Sequence, residues 1–200
     1  LQLLEQWLIV SSEFIERFNS DYSLLNKQFS LGSSAVVAIT GSAGDVHCQG
    51  RSVHVLEFDN KKKLVYKPRS LAIDCVFSEF LKFLAGRGMK PDLRMPVTID
   101  RGAYGWCDFI EQKSCKTESQ IKSFYERQGV WLALLHAIAS CDLHLENLIA
   151  SGEYPVVIDL ETIFHPEIID RIPESADDLA NMKVLDSVMG VGLLPKPVRA

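Results

Sequence analysis

Over residues 3–29 the apolar side chains recur at helical intervals: Leu4, Trp7, Leu8, Phe14, Ile15, Phe18, Leu24 and Leu25. Spacings of three and four residues gather them on one stripe, so the segment is predicted to be helical. Ser11-Ser12 followed by Glu13 is a start signal at which a second helix is expected to begin. The period then shortens. Ala35-Val-Val-Ala-Ile39 is predicted as a strand, and it runs into a Gly-rich loop, Thr40-Gly-Ser-Ala-Gly44-Asp45-Val-His47-Cys-Gln-Gly50-Arg51. Val53, Val55 and Phe58 resume the strand pattern, Asp59-Asn60 turns the chain, and Lys63-Leu-Val-Tyr-Lys67 forms another strand that Pro68 ends.

A helix is predicted over 71–84, with Phe77, Phe80, Leu81 and Leu84 on one face and Gly86 and Gly88 as its stop. Two strands, 97–100 and 104–111, surround Arg101-Gly102. Thr117 with Glu118 opens a long helix through Ile121, Phe124, Tyr125, Val130, Leu134 and Leu135 to Ala139. A loop follows over 141–147. The apolar strands Leu148-Ile149-Ala150 and Val156-Val157-Ile158 then flank a turn containing Gly152 and Pro155. Beyond Phe164 no element is signalled, and no repeat is present. This order is α+β: a helical lead-in over 1–30, a β-rich part over 31–112 and a helical part over 113–200.

The 200 residues are enough for one domain, or one and part of another. With 47% hydrophobic and 24% charged residues, the chain has a globular composition rather than a disordered one. Its net charge of −5 argues against sequence-independent nucleic-acid binding; Lys61-Lys62-Lys63 reads as a solvated turn. No apolar run approaches the roughly 20 residues of a membrane-spanning helix. The best stretch, 130–139, is short and contains His136, which is expected to pack in the core. The five cysteines, Cys48, Cys75, Cys107, Cys115 and Cys141, are odd in number and lack C-x-x-C, which points to a reducing, cytoplasmic setting. The chain opens without Met inside an apolar helical pattern and stops after Leu193-Leu194-Pro195, so it is expected to be a piece of something longer.

The chemistry concentrates in Asp142-Leu-His144-Leu-Glu146-Asn147 and Asp159-Leu160-Glu161. Protein kinases space a catalytic-loop Asp and an Asn as Asp142 and Asn147 are spaced, and follow them with a metal-binding Asp at a strand end, where Asp159 stands. Phosphoryl transfer needs little covalent help. It needs metal ions on the phosphates, an acceptor hydroxyl held in line and a base near it. Asn and Asp oxygens are hard ligands suited to Mg²⁺. Lys67, at a strand end upstream, is placed to grip nucleotide phosphates as a point charge, with Glu79 or Asp74 as its candidate ion-pair partner. The loop before it matches neither G-x-G-x-x-G nor a Walker loop. It offers Asp45, His47 and Arg51, a set suited to proton transfer or anion handling. A zinc site from Cys141-x-x-His144 and His47-Cys48 is disfavoured, because the two pairs lie far apart with no tight repeat.

Six blocks go together. They are Gly44-Asp45-x-His47-x-x-Gly50-Arg51-x-Val53; Lys63-Leu-Val-Tyr-Lys67-Pro68-Arg69-Ser70-Leu71; Asp100-Arg-Gly-x-Tyr104-Gly105-Trp106; Phe124-Tyr125-x-Arg127-x-Gly129; Asp142-x-His144-x-Glu146-Asn147-Leu148-Ile149-Ala150; and Asp159-Leu160-Glu161-Thr162-x-Phe164. In this order and spacing the chain, from about residue 30 to 165, resembles the dehydratase domain of class II lanthipeptide synthetases, the LanM enzymes.

The resemblance implies a two-lobed fold similar to lipid and protein kinases, here truncated. It implies ATP- and Mg²⁺-dependent phosphorylation of Ser and Thr in a ribosomal precursor peptide, then elimination of phosphate to dehydroalanine or dehydrobutyrine. Lys67 would hold the ATP phosphates. Asp142 would orient or deprotonate the hydroxyl. Asn147 and Asp159 would bind Mg²⁺ with Glu161 beside them, and Asp45, His47 and His144 match active-site positions. In this family Zn²⁺ belongs to a separate C-terminal cyclase domain, which this chain lacks. An arginine and a threonine that the family uses in elimination have no match before Ala200. Two other readings compete: a kinase-like phosphotransferase that stops at phosphorylation, and a truncated, non-catalytic peptide-binding fragment. Glu161 stands where a protein kinase has Gly, which favours the family over an ordinary protein kinase.

Overall fold

One helix, α1 (Gln2–Phe29), takes up the whole first apolar stripe. The computed structural model describes residues 2–41, 50–141, 143–161, 163 and 173–195, and it runs α1 unbroken through Ser11-Ser12. Serine in a helix interior costs only tenths of a kcal/mol. Here the following turn is anchored by the Glu13–Arg17 ion pair and by buried Phe14, so the expected restart does not occur. Leu4, Trp7 and Leu8 stay exposed, and the helix enters the core only from Phe14 onward.

Five strands form a mixed-length antiparallel sheet: β1 (Val36–Thr40), β2 (His54–Phe58), β3 (Lys63–Lys67), β4 (Thr98–Asp100) and β5 (Gly105–Asp108), in the order β1-β2-β3-β5-β4. Alternation decides their facing. Leu56 and Phe58 on β2, Leu64 and Tyr66 on β3 and Trp106 on β5 are buried with Phe14, Leu25 and Leu31 in one core. Each such side chain contributes roughly 1.5–3 kcal/mol when removed from water. The indole of Trp106 donates to the buried carboxylate of Asp21 at 2.9 Å, and Arg101 meets the other oxygen of Asp21 at 3.0 Å. Thus α1 is tied to β5 by both apolar packing and a satisfied polar pair. These elements make the first of two units, Leu1–Cys75 with Val97–Phe109.

The second unit comprises Val76–Pro96 and Ile110–Ala200. The helix α2 (Ala72–Gly86) spans the chain boundary between the units. In the second unit, α3 (Glu118–Ala137) is capped by Thr117, whose hydroxyl accepts from the Gln120 amide at 3.2 Å. Its buried side chains are Arg127, Trp131 and Leu135. His136, expected in the core, is exposed: the packed stripe runs through 127, 131 and 135, and position 136 falls about 100° away. A hairpin of β6 (Leu148–Ser151) and β7 (Tyr154–Val157) follows, with a parallel bridge from Lys113 to Ser151. Past the last element that the sequence signals lie α4 (Ala176–Leu185) and a 3-10 turn, Val188–Val191. Among the described residues no helix is long and apolar enough to cross a membrane.

Candidate functional site

In the first unit, β3 delivers Lys67 at its C-terminal end, paired across the sheet with Gly105. Gly105 has no room for a side chain: an added Cβ would lie 2.6 Å from both the Ile99 carbonyl oxygen and Leu71 Cδ1. The sheet therefore closes tightly around the strand end that carries the lysine, and Lys67 is buried. Its charge and that of Arg69 favour the thiolate of Cys107. Burial outweighs them, and the thiol is pushed up to about 12. Asp74, one of the two candidate partners of Lys67, is buried and ion-paired with Arg69 at 3.2 Å. Glu79, the other, is exposed on α2.

Arg51 closes the Gly-rich loop and is engaged by α1. Its Nε and Nη2 donate to Glu13 Oε2 at 3.1 and 2.7 Å. These hydrogen bonds hold the Glu13 carboxyl below the usual carboxylate range despite opposing desolvation. Next to this pair, Arg17 donates to the Tyr66 hydroxyl at 2.6 Å, and His54 stacks on Tyr66 with ring centroids 5.8 Å apart. His54 Nδ1 is buried without a hydrogen-bond partner, and burial lowers the pKa of the imidazole.

In the second unit the hairpin register carries the site. Leu148 pairs with Val157, so the residues just outside the hairpin, Asn147 and Ile158, face each other. The Ile158 amide donates to the Asn147 carbonyl at 2.9 Å. Asp159 is the next residue, and its Oδ1 accepts from the Glu161 amide at 3.2 Å. Asn147, Asp159 and Glu161, separated in sequence, thus gather at one end of β6–β7. On the other side of Asn147 is a 3-10 turn, Leu145–Asn147, capped by His144, whose Nδ1 accepts from the Glu146 amide across a long 3.4 Å. Leu143 is fully buried, and its amide donates to the Val191 carbonyl at 2.9 Å. Gly192, at φ +92°, lies against the Leu143 backbone, where a Cβ would come within 3.1 Å of the amide nitrogen.

Lys67 belongs to the first unit, and His144, Asn147, Asp159 and Glu161 to the second. Asp45, His47 and Asp142 lie outside the described residues. Among the described residues no three His, Cys, Asp or Glu side chains gather closely enough to hold a metal ion. The oxygen set at the hairpin end is Asn147, Asp159 and Glu161, all hard donors of the type Mg²⁺ takes.

Two supports of this site have contacts that the sequence does not reveal. One is the contact of Gly192 with the turn at Leu143. The other is Arg127, which reaches from α3 to the hairpin. Its Nη1 donates to the Glu153 carbonyl at 3.1 Å and its Nε to the Asp92 carbonyl at 3.0 Å. It also lies 4.0 Å from the Tyr154 ring centroid. The block Phe124-Tyr125-x-Arg127 hints at its importance without naming its partners.

The model of the family described as "Domain of unknown function (DUF4135)" matches residues 1–200. The lacticin 481/lactococcin biosynthesis protein LcnDR2 of Lactococcus lactis subsp. lactis is 31% identical over 201 residues, covering 96% of this chain and 22% of that protein. The chain thus spans little more than a fifth of the length of the curated relative it matches.

Proposed function

This chain belongs to the DUF4135 family, and on that premise we propose that it is the kinase-like dehydratase part of a lantibiotic-modifying enzyme. Its likeness to a lacticin 481 biosynthesis protein supports a role in lantibiotic modification. The observation that carries the finer reading is the hairpin register, which brings Asn147 and Asp159 to one end of β6–β7 beside the His144 turn. A phosphotransferase needs its oxygen donors grouped in this way, next to the loop that handles the acceptor hydroxyl.

The substrate in this reading is a Ser- and Thr-containing precursor peptide, and the phosphoryl donor is ATP. Lys67, a compact cation at the end of a tightly closed strand pair, would bind the phosphates. Asn147 and Asp159, with Glu161 beside them, would hold Mg²⁺, which when bound neutralises phosphate charge. Asp142 would accept the hydroxyl proton as the Ser or Thr oxygen bonds to the γ-phosphorus and the bond to ADP breaks. In the second step a base removes the α-proton, the Cβ–O bond breaks, and phosphate departs to leave an alkene. Phosphate is a far better leaving group than hydroxide, which is the reason for phosphorylating first. Asp45, His47 and His144 are the candidates for this proton traffic.

The test is product mass. The natural full-length protein is co-expressed with a candidate precursor peptide, beside Lys67→Ala and His47→Ala. Loss of water from the peptide, abolished by Lys67→Ala, is the expected result. A stable phosphopeptide from the wild type would assign a kinase that stops at phosphorylation and overturn the dehydratase.

A further inference from the structure

A cavity of about 740 Å³ opens within the second unit. Leu148 and Ile149 of β6 line it, and the segment 193–195 forms an apolar wall. Three polar side chains converge on it from separate parts of the chain: Gln112 before α3, Gln128 on α3 and His144 of the 3-10 turn. Its volume lies within the range of small-ligand sites, and its mainly apolar lining with a few polar groups is their usual chemistry.

What lines the cavity restricts what it can take. Among the described residues no Lys, Arg, Asp or Glu lines it. Those residues bring no lysine or arginine to a phosphate and no carboxylate to a cation. A carboxamide presents an N–H donor and a C=O acceptor together, the complement of a peptide group. Two carboxamides over an apolar floor suit a neutral peptide: its backbone pairs with the amides and its aliphatic side chains cover Leu148 and Ile149. His144 belongs both to this lining and to the turn that precedes Asn147, so a peptide seated here lies against the candidate catalytic segment.

We propose that this cavity seats a neutral, uncharged stretch of the substrate peptide, with Gln112 and Gln128 as the positioning residues that pair with its backbone. The identity of the peptide as substrate rests on the function proposed above; the chemistry of the seat does not.

The experiment uses photo-crosslinking. The natural full-length protein carries p-benzoylphenylalanine at Leu194 in the cavity wall or, as a control, at Lys122, whose side chain is 80% exposed on α3. The probe is a capped neutral peptide, acetyl-Gly-Leu-Thr-Val-Ser-Ala-amide, at millimolar concentration. The expected result is a peptide adduct at position 194 at least fivefold above that at 122, falling severalfold in Gln112→Leu/Gln128→Leu with the thermal midpoint unchanged. Equal adducts at the two positions would overturn the proposal. So would an adduct indifferent to the double substitution, or one displaced by adenosine, which would assign the cavity to a nucleoside. Dehydration of a precursor is scored separately. Dehydration without an adduct at 194 removes the seat and leaves the function, and an adduct without dehydration does the reverse.

Discussion

Replacing Arg127 by Ala tests whether the second unit depends on one buried cation. The side chain is 8% exposed, against 58% for Asp92 and 35% for Glu153. It donates to two backbone carbonyls and to both carboxylates, and it lies over the ring of Tyr154. Removing one member of a fully buried ion pair costs about 3–5 kcal/mol. Here water reaches the carboxylates and screens them, so that figure is discounted, while the loss of the carbonyl and ring contacts remains. The expected destabilisation is ~2–4 kcal/mol, or a fall of about 5–15 °C in Tm for a chain of this size. Arg127→Lys keeps the charge but loses the fork and should cost about half as much. Chemical denaturation gives the free energies, and hydrogen exchange at β6–β7 reports where the loss is felt. Desolvation raises the Asp92 pKa, but hydrogen bonds from Arg127 and Tyr154 more than offset it and hold the carboxyl low. A carboxyl with a depressed folded pKa stabilises above its unfolded value, about 3.9, and that contribution is lost as pH falls below it. In Arg127→Ala the acid limb of the stability curve should therefore flatten. A loss under ~1 kcal/mol with exchange at the hairpin unchanged would refute the reasoning.

Gly192→Ala forces a side chain into a left-handed backbone and against the Leu143 amide. Product formation should fall at least tenfold while the global Tm drops by only a few degrees; equal turnover would show that the 143–147 turn tolerates the push. Asp21→Ala leaves the buried Trp106 N–H unmet and should cost ~3 kcal/mol in urea denaturation, whereas Asp21→Asn, which keeps an acceptor, should cost less than half of that. Equal losses would mean that the hydrogen bond is unimportant. Burial lowers the His54 pKa, so its contribution to stability is present above about 6.5 and is lost as pH falls from there toward the folded value. His54→Phe, which keeps a ring on Tyr66, should narrow the stability gap between pH 7.5 and 5.5; an unchanged gap would exclude His54 as its source.

The strands of the first unit were readable as apolar runs bounded by the Asp59-Asn60 turn and Pro68, while the burial of Leu56 with Phe58 and of Leu64 with Tyr66 is what the structure adds. Thr117 announced α3 by its capping chemistry. The face of α3 was not readable. Of its apolar letters Leu135 is buried, but Ile121 and Tyr125 are exposed, and the buried stripe runs instead through Arg127 and Trp131. That choice depends on acceptors 35 and 26 positions away, which local periodicity cannot register. Likewise α4 has no buried residue, so no apolar period marks it. The grouping of Asn147 with Asp159 was legible because a short hairpin lies between them. The support of Leu143 by Val191 and Gly192 was not, since nothing local to either segment encodes it.

Cys107 stands in β5 opposite Val65, with Lys67 among the charges it feels. The alkene that the proposed reaction makes is an electrophile, and thiolates are what add to it. Burial pushes its thiol up to about 12, which keeps Cys107 protonated at neutral pH. A sulfur near the candidate phosphate-binding lysine is thereby kept chemically silent. An enzyme releasing dehydrated residues would be protected at this strand from alkylating itself, and a thiol-directed reagent applied to the folded protein would pass Cys107 by.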